Sequence, residues 1–215
     1  MLSLPLMLII APPILLALTI HEFAHAYVAN SLGDDTASAA GRLTLNPLAH
    51  LDVLGTIMVF IVSIGWAKPV PVNPNNLANP RKDMLWISLA GPASNVALAL
   101  VFGILCRILN VQSLFPTEYT TLEIIKSMAA YGMVINLILA FFNIIPLPPL
   151  DGSKILSGLL PPKYDSYINL FTRYGHFVLL FLIVLSVAFN IPVFRSIYLP
   201  FVRLLSYLFG GISFI

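Results

Sequence analysis

Apolar residues in this chain fall into runs, and four runs are long enough to cross a bilayer. The first covers residues 2–31 and predicts a helix bent near Pro12-Pro13, where consecutive prolines remove backbone donors. Gly33 with Asp34-Asp35 ends it. The second run covers 84–109, with Gly91-Pro92 and Asn95 inside it, the third 128–146, and the fourth about 174–191. More polar stretches separate them: 110–127 with Glu118 and Glu123, and a linker after Gly152 with Lys154, Lys163, Asp165 and Arg173. The tail, 196–215, is apolar around Arg203 and fits an interfacial helix or a further crossing.

Between the first two runs the pattern changes. Residues 41–52 alternate and then break at Asn46-Pro47, which predicts a short strand followed by a turn. Residues 53–66 are apolar but too few to span comfortably. Residues 67–73, Ala-Lys-Pro-Val-Pro-Val-Asn, read as a second extended piece, an edge strand at best because of its prolines. Together they predict a short re-entrant or β-hairpin-like element. Such backbone survives at membrane depth only when packed on protein or lining a wet cavity. The expected fold is an all-α polytopic membrane protein with four to five transmembrane helices and this element after the first. It forms a single domain over 1–215, with a core of about 1–155 and one or more C-terminal helices over about 170–215.

Composition sharpens this picture. The chain is 59% hydrophobic and only 9% charged, against roughly 25% charged residues in a soluble domain, so it reads as embedded in a lipid bilayer. A net charge of +2 with dispersed basic residues argues against nucleic-acid binding. The lone Cys106 excludes an intrachain disulfide and a cysteine-based zinc site. The first run lacks a basic leading region and a cleavage-like site, so a permanent spanning helix is expected rather than a signal peptide.

The chemistry concentrates at one place. Of four His and three Glu in the chain, three fall within five residues, His21-Glu22-Phe23-Ala24-His25. Residues 1–20 before them carry no charge. Two imidazoles four residues apart share a helix face and can bind one zinc ion, and the adjacent Glu can reach a water on that metal as general base. Ionisable groups in a lipid-length helix are costly unless they serve a function.

A catalytic zinc takes three protein ligands and leaves a position open. The remaining candidates are His50, Asp52, Asp151, Asp165 and His176, and topology favours Asp151. If 53–66 does not cross, the second span leaves the side where the first ends and the third returns to it. Asp151 then arrives beside the histidines. Under that topology Arg42, Lys68, Arg81, Lys82, Lys154, Lys163 and Arg173 share the histidine side, against Arg107 and Lys126 on the other, with Arg195 and Arg203 if the tail stays there. The positive-inside rule therefore turns the histidine side to the cytoplasm.

His21-Glu22-x-x-His25 joined to Asn143-x-x-Pro146-x-x-x-x-Asp151-Gly152 resembles the site-2 protease family of intramembrane zinc metalloproteases. The segments Gly41-Arg42-Leu-Thr-Leu-Asn46-Pro47-x-x-His50-x-Asp52 and Gly91-Pro92-x-x-Asn95 resemble it too, so the likeness runs from about 15 to 155. It implies one Zn2+ held by His21, His25 and Asp151, Glu22 as general base, and Asn143 steadying the peptide or the developing oxyanion. A compact form without a PDZ-like or CBS-like domain is expected. Asn95 is expected to serve helix packing, and His50 a lesser part near the site. The implied activity is hydrolysis of peptide bonds within or near transmembrane segments of substrate proteins, in a prokaryotic inner membrane. The alternative is a metal-ion transporter or channel lined by His and Asp, which leaves Glu22 without a task.

Overall fold

The structure, a computed structural model, describes residues 4–55, 65–116, 118–189 and 192–212. Six helices carry the fold: α1 (Leu4–Ser31), α2 (Pro80–Ile108), α3 (Thr121–Ile144), α4 (Asp151–Leu159), α5 (Asp165–Ala188) and α6 (Val193–Gly210). Four segments have the length and hydropathy to cross a membrane: Leu4–Ser31, Pro80–Ile108, Thr121–Ile144 and Pro162–Ser186. This is the all-α multi-pass architecture that the apolar runs predict.

Helix ends follow local chemistry. The Asn79 side chain accepts from the Lys82 N–H, Pro80 opens α2, Asp83 lies in its first turn and Arg107 in its last. Thr120 caps α3 by accepting from the Glu123 N–H. That cap, with the Lys126–Glu123 pair at 2.9 Å, starts α3 seven residues before the apolar run at 128. α5 likewise begins well before residue 174, and the polar linker contains α4. Helix α1 continues through Pro12 and Pro13 without a charge in either end turn. In lipid an unpaired backbone group has no water to turn to, so a spanning segment stays helical.

Helices α1, α2 and α3 pack on one another through small residues: Ala17, Ala26 and Ala29, then Gly91 and Ala99, then Ala129, Ala130, Gly132 and Ala140. Close backbone approach of this kind drives helix association where lipid is as apolar as the side chains. Helix α6 lies lengthwise against α2 and α3. Its Phe194 meets Phe142 at 5.5 Å, Phe201 stacks on Phe141 at 4.9 Å, and Val202 joins Ala99, Met133 and Leu137 in the core. At the other end Arg107 donates to the Phe209 carbonyl at 2.7 Å and to the Leu208 carbonyl at 2.8 Å, where Gly211 closes the helix in a left-handed conformation. The apolar tail is therefore a helix of the bundle.

The strands expected within 41–52 and 67–73 do not form among the described residues. Asn46 instead caps a single turn at Pro47–Ala49, and Pro69 and Pro71 have no N–H with which to build a ladder. What remains of pairing is one antiparallel bridge, Leu51 with Ala67, and the Lys68 N–H donated to the His50 carbonyl at 2.9 Å. The bridge still bears on the topological question. The chain at Ala67 lies beside the chain at Leu51, as the topology without a crossing between them requires. Residues 56–64, where the tip of the re-entrant element is expected, lie outside the described residues.

Candidate active site

His21 and His25 stand one turn apart on α1, near the end where it meets α2. Their Nε2 atoms lie 3.0 Å from each other, and each lies 3.2 Å from Asp151 Oδ2. Asp151 reaches them because α3 ends at Ile144 and the proline-rich turn 145–150 hands the chain into α4, whose first residue it is. Gly152 permits that hand-over, since a Cβ there would run into the carbonyls of Ile144 and Ile145. Gly91 permits the complementary approach of α2, because its Cβ would lie 2.6 Å from His21 Cε1.

The three atoms suit a cation. Nδ1 of His25 lies 2.7 Å from the Ile87 carbonyl, an acceptor only, so it carries the proton and leaves Nε2 bare in the neutral ring. A tetrahedral zinc with ligand distances of about 2.0–2.1 Å sets its ligand atoms roughly 3.3 Å apart, close to the spacings found. His21, His25 and Asp151, all buried, are the one group of three among the described residues that could hold a metal ion.

Glu22 is buried beside the histidines, and its Oε2 accepts from the Val70 N–H at 3.0 Å. Val70 belongs to a strap over the site that is tied down on both sides. Arg42 donates to the Lys68 carbonyl at 2.6 Å, and Asp34 Oδ2 accepts from the Asn73 N–H at 2.7 Å. Asp34 also accepts from the Thr36 hydroxyl and the Asn76 amide. Burial pushes its carboxyl up, but these donors outweigh that and hold it below the ordinary carboxylate value. Under the strap is a cavity of about 140 Å³ lined by His21, Glu22, His25, Asp151, Pro69, Val70, Ser88 and Asn143. It has room for water, and is smaller than the roughly 300 Å³ at which ligand pockets begin.

The other candidate ligands stand apart. His50 is buried and bonds the Thr44 carbonyl at 2.9 Å. Asp52 accepts from the Gly55 N–H at 2.7 Å, Asp165 pairs with Arg81 at 2.9 Å, and His176 lies against Phe177. Asn143 lines the cavity while its amide donates to the Leu139 carbonyl at 3.0 Å. Asn95, expected to serve helix packing, places Oδ1 at 2.6 Å from His21 Nδ1. Sequence reasoning missed Asn136 and Ser88, since a single polar residue in an apolar run carries no sign of what it faces. The Val70 N–H and the Ile87 carbonyl are backbone groups with no sequence signature at all.

Comparison with known proteins bears on this arrangement. The sequence profile of peptidase family M50 matches residues 113–183. The chain is 39% identical over 171 residues to "Putative zinc metalloprotease YwhC" of Bacillus subtilis, covering 80% of this chain and 78% of that protein. It is 32% identical over 180 residues to the similarly named Rip2 of Mycobacterium tuberculosis, covering 81% of this chain and 64% of Rip2. "Zinc metalloprotease MJ0392" of Methanocaldococcus jannaschii is 24% identical over 149 residues, which span 69% of this chain and 33% of that protein. No solved structure matches. With a relative this similar along four-fifths of the chain, and the two halves of the His-Glu-x-x-His and Asp motif meeting in space, the chain belongs to peptidase family M50, the site-2 proteases.

Proposed function

We propose that this protein is a zinc-dependent intramembrane endopeptidase whose metal is held by His21, His25 and Asp151. The observation that carries the reading is the meeting of three buried ligand atoms, 3.0–3.2 Å apart, with a buried carboxylate beside them inside an apolar helical bundle. Held by these three residues, zinc would supply Lewis acidity to the scissile carbonyl and would lower the pKa of a water there toward about 7. Glu22 takes the proton from the attacking water and returns it to the leaving amine. The Asn143 side chain, on the cavity wall, turns from the Leu139 carbonyl toward the oxygen that gains charge.

The substrates are transmembrane segments of other proteins. The cavity under the strap is too small for a peptide, so binding lifts residues 68–72 and releases Glu22 from the Val70 N–H. The basic residues on the histidine side, against Arg107 and Lys126 at the far ends of α2 and α3, orient the site toward the cytoplasm. The host membrane is the inner membrane of a prokaryote. Residues 1–215 act as one unit, with α6 completing the core built by α1–α3 and α4 and α5 attached beside it. The transporter alternative has nothing in its favour: transport would favour paired sites, and one three-ligand group forms among the described residues.

The test is zinc content together with cleavage of a model transmembrane substrate in detergent. Wild type is expected to hold one zinc and cleave, Glu22→Gln to hold zinc without cleaving, and Asp151→Ala to lose both. Zinc retained in full by Asp151→Ala would overturn the ligand set. Cleavage by Glu22→Gln at the wild-type rate would overturn the general base.

A further inference from the structure

Two asparagines deep in the bundle, Asn95 on α2 and Asn136 on α3, are fully buried and hydrogen-bonded to one another. A buried amide has two distinguishable ends, and its surroundings decide which way it points. Asn136 Nδ2 lies 2.8 Å from the Gly132 carbonyl, which accepts and cannot donate, so that end is the NH2. Asn136 Oδ1 therefore faces Asn95 at 2.8 Å and requires a donor from it. Asn95 Nδ2 supplies this N–H and presents its second to the Ala17 carbonyl at 3.2 Å. With both of its N–H groups committed to acceptors, Asn95 turns Oδ1 to His21 Nδ1 at 2.6 Å.

From this geometry we infer that the Asn95–Asn136 pair is a relay that fixes His21 as its Nδ1–H tautomer and so sets the metal affinity of the site. The inference rests on the reading of His21, His25 and Asp151 as metal ligands. His21 Nδ1 must carry the proton, which leaves Nε2 bare toward His25 Nε2 and Asp151 Oδ2. Flipping the Asn95 amide would set its oxygen against the Ala17 carbonyl and Asn136 Oδ1 at once, so the orientation is over-determined. His25 reaches the same state by a shorter route, through the Ile87 carbonyl. One ligand is thus set by backbone and the other by side chains from two further helices. A bare imidazole nitrogen is what a metal requires, and a ring free to hold the wrong tautomer surrenders affinity on binding. Asn95 and Asn136 are positioning residues in this scheme, and neither touches substrate.

Two readouts on the metal-stripped full chain in detergent test the relay. The first is the nitrogen spectrum of 15N-histidine-labelled protein above the imidazole titration range, which separates Nδ1–H from Nε2–H rings. The second is zinc affinity by chelator competition. Wild type is expected to show His21 and His25 both as Nδ1–H. Asn95→Leu is expected to mix the tautomers of His21 alone and to weaken zinc binding about 10–100-fold. Asn136→Leu, one step further out, shifts both readouts the same way by less. An Nε2–H His21 in the wild type overturns the relay with no variant needed, so a variant that fails to fold does not shield it. Wild-type zinc binding with unchanged affinity in a folded Asn95→Leu also overturns it and leaves the ligand set standing. A wild type that binds no zinc overturns the ligand set itself, and the relay's purpose with it.

Discussion

In the bundle of α1, α2 and α3 many of the residues turned inward are polar or small: Thr19, His21, Ser88, Asn95, Ser127 and Asn136, with alanines and glycines, beside larger apolar ones such as Ile87, Met133 and Leu137. Along α5 the large apolar side chains point outward, with Leu170, Phe177, Phe181 and Val184 all exposed. Helix α5 meets the rest chiefly where Gly175 rests on Pro148 and at the buried Leu179. Its base is tied by Arg81, which pairs with Asp165 at 2.9 Å and donates to the Leu160 carbonyl. Beside it an apolar groove of about 720 Å³ runs between α4 and α5, lined by Leu156, Leu160, Tyr167, Tyr174 and Val178 among others. The contrast follows from the solvent. In lipid, apolar side chains gain little by leaving tails of equal polarity, so close backbone contact and hydrogen bonds decide which helices join. The bundle has both and is fixed tightly enough to place ligand atoms, whereas α5 has little of either.

The sharpest way to break the contrast is Gly91→Ala. On most helices this change is favourable by about 1 kcal/mol. Here the new methyl would stand 2.6 Å from His21 Cε1 and closer still to His25 Nε2, and α2 cannot retreat without opening the bundle. The imidazoles move instead. The expected outcome is a folded protein that has lost bound zinc and at least about 100-fold in cleavage rate, a loss typical of ångström-scale misplacement. Zinc content and turnover on one preparation check it, and full zinc occupancy would show that the approach of α2 is looser than the structure implies.

Asp34→Asn tests the rim of the bundle, where polar contacts tie the strap to the end of α1. Asp34 accepts from the Thr36 hydroxyl and from the N–H groups of Asn73, Asn76 and Thr36. An amide in its place turns an NH2 against those donors, at a cost of about 1–3 kcal/mol. The sign of the pH effect follows from the depressed carboxyl. Its contribution is complete above the unfolded value, near pH 4, and is lost as pH falls through the lower folded value. Thermal midpoints of wild type should therefore drop as pH falls below about 4 more steeply than those of Asp34→Asn. Parallel acid limbs would mean that these hydrogen bonds carry no net stability.

The same contrast explains what was legible in the sequence. Spanning helices and the His21–His25 pair were readable because hydropathy and a four-residue spacing are local properties. Asp151 was readable through topology, and the Leu51–Ala67 bridge brings together the two ends of the segment on which that topology turned. The strands were not, because the extended segments spend their hydrogen-bonding groups on Arg42, Asp34 and Glu22 rather than on a ladder. Helix starts were misplaced wherever charged residues such as Lys126 or Asp165 open an apolar helix. Asn136 and Ser88 stayed hidden, since their meaning lies in which neighbours they face.

Gly175→Ala probes the joint that attaches α5. A Cβ there would meet Pro148 Cδ at 2.5 Å and Cγ at 2.8 Å, which costs about 1–3 kcal/mol as overpacking, less about 1 kcal/mol gained in helix propensity. The expected result is a thermal midpoint lowered by a few degrees with zinc content unchanged, because the loosely held α5 gives way at the joint before the turn 145–150 does. Loss of zinc would tie α5 to the turn 145–150 that delivers Asp151, and would erase the distinction between a fixed bundle and a loosely joined helix.

The smallest effect is expected on the outer face of α5. Phe177, Phe181 and Val184 are exposed and follow one another at spacings of four and three, so they share a stripe toward lipid. Replacing all three with leucine keeps the stripe apolar and removes no hydrogen bond. Stability should change by less than about 0.5 kcal/mol per site, with zinc content and cleavage of a soluble unfolded peptide at wild-type values. A membrane-embedded substrate makes the demanding comparison. If its cleavage also stays at the wild-type rate, the stripe faces lipid and nothing else. If it falls while peptide cleavage and zinc hold, the stripe has a protein partner during the reaction. The helix with the fewest contacts in the resting molecule would then be the one that meets the substrate.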